Sequence, residues 1–152
     1  MHQFFATVAW QRDGQDFAGQ RYSRGHEWLF DGGLRVPASS SPLSVPLPMS
    51  VAANIDPEEA LVAATSSCHM LFFLSLAAQR GHVIDDYRDE AIGELSRNAD
   101  GKLAMTRIVL RPRIAFAGTA PSAEALDSLH HEAHERCYIA SSLKADVVVE
   151  AR

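Results

Sequence analysis

The sequence has no basic stripe, no C-x-x-C cysteine pair and no glycine-rich phosphate-binding loop. Its 19 acidic residues outnumber the 14 lysines and arginines, which gives a net charge of -5. Proteins that bind nucleic acids usually carry clustered positive charge, so this balance argues against such a partner. Without the cysteine and glycine motifs, the sequence also gives no reason to expect a metal or nucleotide cofactor.

A long hydrophobic run is missing as well. The longest, Met70 to Ala78, is interrupted by Ser75 and is too short to span a bilayer, which takes about 20 apolar residues. The N-terminal stretch MHQFFATVAWQRDGQ has neither the basic nor the apolar part of a signal peptide. We therefore predict a cytoplasmic protein without membrane contact. In that compartment two cysteines are more typical of free or redox-active thiols than of a structural disulfide.

One helical segment dominates the chain: DPEEALVAATSSCHMLFFLSLAAQRG, from Asp56 to Gly81. Asp56 is the predicted N-cap, Pro57 the first helical residue, Glu59 the partner in a capping box and Gly81 the C-cap glycine. The interior is apolar on nearly every side, whereas a surface helix has one polar face. At about 1.5 Å per residue the helix is roughly 36 Å long. We predict that it is the central helix of a single domain over residues 1–152.

Alternating and β-branched segments predict strands on both sides of this helix. The predicted strands are Gln3 to Gln11, His26 to Phe30, Leu34 to Pro37, Val83 to Asn98, Lys102 to Gly118 and Ala145 to Glu150. The Pro- and Ser-rich stretch PASSSPLSVPLP is expected to be an ordered loop. A second helix is predicted from Ala123 to about Cys137, with Leu126 and Leu129 as its buried stripe. The order βββ-α-ββ-α-β with antiparallel hairpins predicts an α+β fold.

The two cysteines occupy the two predicted helices, Cys68 in the middle of the first and Cys137 at the end of the second. A cysteine in an apolar helix commonly serves as a small packing residue. A reactive Cys68 would need an arginine or a hydrogen-bond network from another part of the chain. If the helices pack side by side, the cysteines fit a peroxidatic and resolving pair. Spacing alone leaves this pair and two unrelated buried thiols equally open.

Histidines on the second helix offer a further interpretation. His130 and His134 are four residues apart and His134 and Cys137 three apart, so the three side chains share a helix face. Such spacing occurs in zinc sites. The same segment carries charged residues typical of a solvated surface, and no second ligand cluster exists elsewhere in the sequence. A zinc site therefore stays an alternative only.

The segment DPEEALVAATSSC, with its Pro-Glu ahead of a helical cysteine, resembles the osmotically inducible protein C / organic hydroperoxide resistance (OsmC/Ohr) family. The second cysteine, followed by Ala140-Ser141-Ser142 and the strand-like KADVVVE, matches too, as does the three-strand opening. The resemblance covers essentially the whole chain. It implies an OsmC-like fold, antiparallel sheets wrapped around a long central helix, in an intertwined homodimer. It also implies a thiol-dependent peroxidase that reduces organic hydroperoxides in oxidative-stress defence.

This resemblance also implies roles for single residues. Cys68 corresponds to the peroxidatic thiolate and Cys137 to its resolving partner. Glu58, in the Pro-Glu motif, orients an arginine that stabilises the thiolate. The candidates for that arginine are Arg21, Arg24 and Arg35, and we favour Arg24 because its distance ahead of the Asp31 turn fits the family arrangement. The reductant implied is an external dithiol, such as the lipoylated proteins that serve the hydroperoxide-resistance branch.

The chemistry of these residue types is consistent with that reaction. A thiolate that attacks a peroxide becomes a sulfenic acid, which a second thiol converts to a disulfide. A guanidinium stabilises the thiolate, and a carboxylate can fix the guanidinium through a bidentate pair. Apolar helix residues are candidates either for a wall that favours organic peroxides or for simple core: Met70, Leu71, Phe72 and Phe73.

Helix geometry limits how the residues that the resemblance assigns to one site can meet, and together with the implied homodimer it leads us to predict a dimer with composite sites. Glu58 and Cys68 are about 15 Å apart along a straight helix. They can share one arginine only if the helix bends at Thr65-Ser66-Ser67 or if two chains build the site. Two copies of so apolar a helix, crossing antiparallel, bring Glu58 of one near Cys68 of the other.

Some positions depart from the family pattern. Tyr138 stands where the best-known members have proline, and His69-Met70 follows the first cysteine in place of a phenylalanine. We interpret His69 as a neutral structural histidine, with tuning of the thiol as the alternative. The main competing function is a non-catalytic binding module that holds a small apolar molecule between the helices. In that case both cysteines are packing residues and Cys68 alkylates slowly even at high pH.

Overall fold

The computed structural model describes residues 1–151. Its elements, in chain order, are β1 (Ala6–Ala9), β2 (His26–Phe30), β3 (Arg35–Ala38), α1 (Pro57–Gln79), β4 (Ile84–Asp89), β5 (Ile92–Arg97), β6 (Leu103–Leu110), β7 (Pro112–Phe116), α2 (Ala123–Arg136), α3 (Tyr138–Ser142) and β8 (Asp146–Val149). Contacts within the chain separate a first unit, Met1–Ala60, from a second unit that begins at Leu61. The α+β class is confirmed.

The first unit holds an antiparallel sheet in which β2 pairs with β1 on one side and β3 on the other. β2 occupies the predicted residues. The tight turn after it uses Gly33, whose φ of 86° lies in the left-handed region that glycine adopts without strain. β3 includes Pro37, which fits because β3 is an edge strand. The short β1 lies inside the longer predicted strand.

From Ser39 onward the Pro- and Ser-rich stretch is an ordered loop, as predicted, whereas its first two residues, Pro37 and Ala38, end β3. Ser39 is fully buried, and its hydroxyl accepts a hydrogen bond from the Val51 amide at 2.9 Å. Ser41 accepts one from the Leu43 amide at 3.2 Å. Serine hydroxyls that bond to nearby backbone amides fix a loop without regular secondary structure.

Both predicted ends of α1 are confirmed. The Glu59 amide donates to Asp56 Oδ1 at 2.8 Å, and the Asp56 amide donates to Glu59 Oε2 at 3.2 Å, which makes a capping box. At the other end the His82 amide donates to the Ala77 carbonyl at 2.9 Å, and Gly81 has a φ of 81°. This is the Schellman arrangement of a helix C-terminus.

Within one chain, α1 is fully buried along one side and partly or largely exposed elsewhere. Its buried residues form one stripe: Thr65, His69, Phe73, Leu76 and Ala77. In its most apolar 18-residue segment only 28% of the residues are fully buried, and Leu71 is 60% exposed. By length and composition alone the helix could cross a membrane, a test that the core helices of soluble proteins also pass. This apolar helix is therefore incompletely buried within one chain.

The predicted hairpin of two long strands is divided into four strands. β4 and β5 replace the first long strand, and β6 and β7 the second. At the division the Asp89 carboxylate accepts the Arg111 amide at 2.6 Å, and the Arg111 guanidinium donates to the Glu90 carbonyl. Pro112 has no amide for a ladder bond. The hairpin therefore bends here, and its halves join different sheets.

β4 pairs with β7, while β5, β6 and β8 form a separate sheet. The predicted turn at Asn98 to Gly101 joins β5 and β6, with the Asn98 amide donating to the Lys102 carbonyl at 2.9 Å. In contrast to the antiparallel prediction, β8 pairs with β6 in parallel. The reason is that the chain returns through β7, α2 and α3 before β8 begins, and parallel pairing requires such a long connection.

The core of the second unit is built by α1, α2 and the β4–β7 sheet. Phe73, Leu76 and Ala77 of α1 pack with Leu129 and Ala133 of α2. Partly buried side chains surround this cluster: Phe72, Ile84, Tyr87, Ile114, Phe116 and Leu126. The packing confirms Leu126 and Leu129 as the buried stripe of α2. It also holds α1, which carries Cys68, against α2, which ends at Cys137.

Candidate active site

The structure brings the two cysteines of the chain together. Cys68 is half-buried on α1, and Cys137 is 1% exposed at the junction of α2 and α3. The Cys68 thiol lies close enough to Cys137 to affect its pKa, and both are free thiols. A half-buried cysteine therefore lies beside a buried one.

Backbone groups of two helices hold Cys137. Its amide donates to the His134 carbonyl at 3.1 Å at the end of α2, and its Sγ accepts the Ala140 amide at 3.4 Å at the start of α3. Burial and, to a lesser degree, the neighbouring Cys68 thiol raise the pKa of Cys137 to about 11. The hydrogen bond from the Ala140 amide lowers this pKa by a smaller amount. Cys137 is therefore a protonated thiol at neutral pH.

Directly after Cys68, His69 forms a buried pair with His130. Nε2 of His69 and Nδ1 of His130 are 3.1 Å apart, and the ring planes differ by 9°. The rings are 1% and 5% exposed, and His130 stacks on Phe73 with the centroids 4.4 Å apart. Burial lowers the pKa of each histidine to about 4. At neutral pH both rings are uncharged and one donates to the other, which agrees with the interpretation of His69 as a neutral histidine.

We expect this pair to make the fold less stable as the pH falls. In the unfolded chain both rings bind a proton below about 6.5, whereas in the folded protein they stay neutral down to about 4. The unfolded state binds more protons in that window, so stability present above pH 6.5 is lost towards pH 4. The loss is roughly 3 kcal/mol for one such histidine. Urea-unfolding free energies measured from pH 7.5 to 4 test this.

The matched control is His69→Leu/His130→Leu, which removes both titrating rings. Carboxylates titrate in both proteins, so the difference between the two pH profiles isolates the pair. We expect the double variant to lose several kcal/mol less than the wild type over the same range. Equal losses in the two proteins would contradict the assignment.

The alternative of a zinc site on α2 does not match the structure. Residues 1–151 contain no group of three or more His, Cys, Asp or Glu side chains placed to hold a metal ion. Nδ1 of His130 is engaged by His69, and Cys137 Sγ accepts a hydrogen bond from the Ala140 amide. His134 therefore lacks the two partners that the spacing suggested.

Asp89 is a polar residue of this region that the sequence did not single out. Its carboxylate accepts a hydrogen bond from Ser66 Oγ at 2.5 Å as well as the Arg111 amide. Burial and, to a lesser degree, the negative charge of Asp89 raise the pKa of Tyr87. Because Ser66 is two residues before Cys68, Asp89 fixes the thiol-bearing turn of α1 against the bend of the hairpin.

Two of the three candidate arginines form ion pairs in the first unit. Arg21 pairs with Asp16, and Arg35 pairs with Glu27. The hydrogen bond and charge of Glu27 raise the pKa of Arg35. Each of these cations is thus already matched by a carboxylate.

Arg24 is held differently. It is half-buried, and its guanidinium donates to the carbonyls of Tyr22 and Gln20 at 2.6 and 3.1 Å. It also lies over the Tyr22 ring, 3.6 Å from the centroid. Among residues 1–151, no carboxylate forms an ion pair with Arg24. Of the three candidates, Arg24 therefore keeps an unneutralised charge.

Glu58, the predicted partner of that arginine, is half-buried in the first turn of α1. It joins no ion pair in the part of the chain that the structure describes. The helix is continuous from Pro57 to Gln79, so Glu58 and Cys68 are about 15 Å apart along it. The helix alone does not bring the carboxylate to the thiol.

A protein-family model described as OsmC-like protein matches residues 51–152, the part that contains both cysteines. The chain belongs to the OsmC-like family. An OsmC-like protein of unknown function from Vibrio cholerae is 49% identical to this OsmC-like protein over 100% of both chains, with a TM-score of 0.97. Comparison with curated proteins gave no match.

More distant solved structures share the fold of this OsmC-like protein. The organic hydroperoxide resistance protein OsmC from Legionella pneumophila is 15% identical, with 99% of this chain and 96% of that chain covered and a TM-score of 0.68. The organic hydroperoxide resistance protein OhrB of Bacillus subtilis is 19% identical, with 99% and 98% covered and a TM-score of 0.66. At these identities the likeness establishes the fold, which the sequence resemblance implied.

Proposed function

We propose that this OsmC-like protein is a cysteine-based peroxidase that reduces organic hydroperoxides in the cytoplasm, as part of oxidative-stress defence. The observation that carries the proposal is the adjacency of the half-buried Cys68 and the buried Cys137. Two packing cysteines have no need to meet, whereas a peroxidatic and resolving pair must. The names of the two distant relatives, organic hydroperoxide resistance proteins, point in the same direction.

In the proposed reaction the Cys68 thiolate attacks the outer oxygen of the hydroperoxide. An S–O bond forms and the O–O bond breaks, so the substrate takes a proton and leaves as an alcohol while Cys68 becomes a sulfenic acid. The Cys137 thiol then attacks this sulfur, releasing water and leaving a disulfide. An external dithiol, of the kind carried by lipoylated proteins, reduces the disulfide and is itself oxidised.

Arg24 is the residue that we assign to the thiolate. A guanidinium beside a thiolate stabilises its charge and polarises the peroxide bond. The support for Arg24 over Arg21 and Arg35 is that its charge is not neutralised by a carboxylate within residues 1–151. In this proposal Glu58 holds the Arg24 guanidinium through a bidentate pair.

A second copy of the chain completes the proposed site. One chain fully buries only 28% of the residues in the most apolar 18-residue segment of α1, and Leu71 is 60% exposed. Two α1 helices that cross antiparallel cover the exposed residues for each other, and a two-fold axis then brings Glu58 of one near Cys68 of the other. We therefore propose a homodimer with composite active sites.

The first test is hydroperoxide consumption by the wild-type protein with dihydrolipoamide as the reductant. We expect kcat/KM for cumene hydroperoxide to exceed that for hydrogen peroxide by about tenfold or more, the order of discrimination that an apolar pocket provides. Consumption of neither peroxide, together with slow alkylation of Cys68 at high pH, would overturn the proposal. The binding module for a small apolar molecule would then be the function.

A further inference from the structure

An aromatic pair, Phe72 and Tyr138, is close in sequence to the two cysteines. Phe72 is one helical turn after Cys68 on α1, and residues so spaced share a helix face. Tyr138 directly follows Cys137 and is the first residue of α3. The rings meet edge to face, with their centroids 5.1 Å apart and their planes at 88°. The pair therefore connects the two elements that carry the thiols.

The two rings are held in different ways. Phe72 is half-buried and packs against the core cluster of the second unit, which fixes its position. Tyr138 is 74% exposed and rests on Phe72 through the edge-to-face contact. A tyrosine has only two side-chain torsions to restrict, so such a ring is ordered at low entropic cost. The result is an aromatic pair with one exposed ring, carried by the two elements that also carry Cys68 and Cys137.

We infer that Phe72 and Tyr138 form an aromatic wall that selects hydroperoxides carrying an aryl group. The inference rests on the proposed function and names the substrate class of that site. Aryl groups pack edge to face or offset on aromatic rings, whereas hydrogen peroxide has no apolar body to place there. Phe73, also a candidate for such a wall from the sequence, is fully buried in the core and does not take part.

The aromatic wall contacts the body of the substrate and not its reacting oxygens. The aryl group is unchanged while the O–O bond breaks, so its contact with the wall is similar in the ground state and the transition state. Loss of the contact should then raise KM and leave kcat nearly unchanged. A residue that acts on the thiol itself would instead lower kcat for every peroxide.

The test compares wild type, Tyr138→Phe and Tyr138→Ala with cumene hydroperoxide and with tert-butyl hydroperoxide, which has an apolar body but no aryl group. We expect Tyr138→Ala to raise KM for cumene hydroperoxide about tenfold, because an aromatic contact is lost, and to lower the preference for cumene over tert-butyl hydroperoxide by about the same factor. Tyr138→Phe keeps the ring and should match the wild type. A natively folded Tyr138→Ala protein with unchanged selectivity overturns the inference, and so does an equal loss on both peroxides.

Thiol modification gives a readout that does not depend on turnover. In Cys137→Ser protein, Cys68 is the remaining thiol, and its rates with N-phenylmaleimide and N-methylmaleimide can be compared with those of free cysteine. We expect the phenyl reagent to be favoured about fivefold beyond that reference and the preference to vanish when Tyr138→Ala is added. If the wild type reduces no hydroperoxide, the proposed function fails while this ratio still tests the wall. Normal turnover with a ratio unaffected by Tyr138→Ala overturns the aromatic wall alone.

Discussion

Cys68→Ser is expected to abolish hydroperoxide turnover, by about three orders of magnitude or more, because the attacking sulfur is gone. Serine is similar in size to cysteine and Cys68 is only half-buried, so the fold should be retained. Turnover is followed as loss of cumene hydroperoxide with dihydrolipoamide in excess. A natively folded Cys68→Ser protein that keeps a tenth of wild-type activity would assign the chemistry to another group.

Cys137→Ser is expected to stop the same cycle at a later point. The variant should consume one equivalent of peroxide and retain a sulfenic acid at Cys68, because the thiol that resolves it is absent. Labelling with dimedone and intact-mass spectrometry detect that species, whereas the wild type should show a Cys68–Cys137 disulfide. Sustained turnover of Cys137→Ser with dihydrolipoamide would mean that the reductant attacks the sulfenic acid directly.

Resolution should also depend on pH, because of the environment of Cys137. With a pKa of about 11, this thiol is almost entirely protonated at neutral pH, and the thiolate is the attacking form. The rate of disulfide formation in a single turnover should therefore rise about tenfold per pH unit between pH 7 and 9. Rapid quenching with acid followed by mass spectrometry measures that rate. A pH-independent rate would show that Cys137 loses its proton to a neighbour rather than to solvent.

Local sequence signals predicted the helices of this chain better than its strands. The ends of α1 depend on hydrogen bonds between near neighbours, Asp56 with Glu59 and Ala77 with His82, so a short segment contains all the information. The division of the long hairpin depends on a bond between Asp89 and Arg111, 22 residues apart in sequence. No alternation of polar and apolar residues reports such a contact.

In the candidate site, too, the sequence indicated single residues but not the contacts between distant ones. Resemblance to the OsmC/Ohr family selected Cys68 and Cys137, but their adjacency depends on how α1 packs on the elements that follow it. The pairing of His69 with His130 joins positions 61 residues apart, and neither segment indicates the other. The available signal was that His69 lies one turn before Phe73, on the stripe that becomes core. That position predicts burial of the imidazole and leaves its partner unspecified.

Two impaired variants, Cys68→Ser and Glu58→Ala, are expected to restore activity when they share one dimer. In the proposed composite site Glu58 of one chain serves Cys68 of the other, so the heterodimer has one site with both residues intact and one with neither. Glu58→Ala alone should lower kcat/KM about a hundredfold, as the loss of a preorganised charged contact does. The heterodimer should recover about half of the wild-type activity.

Co-expression with two different affinity tags, followed by tandem purification, isolates the heterodimer. Glu59→Ala is the matched control on the same helical turn. Its carboxylate caps α1 through the Asp56 amide, so its loss should cost about 1 kcal/mol of stability and leave turnover unchanged. If the site lies within one chain, the heterodimer contains no intact site and stays inactive, and a fully active monomer contradicts the proposal equally. Recovery would also explain why apolar residues of α1 are exposed in one chain: in the dimer, the chain that completes the site of Cys68 also covers the helix that carries it.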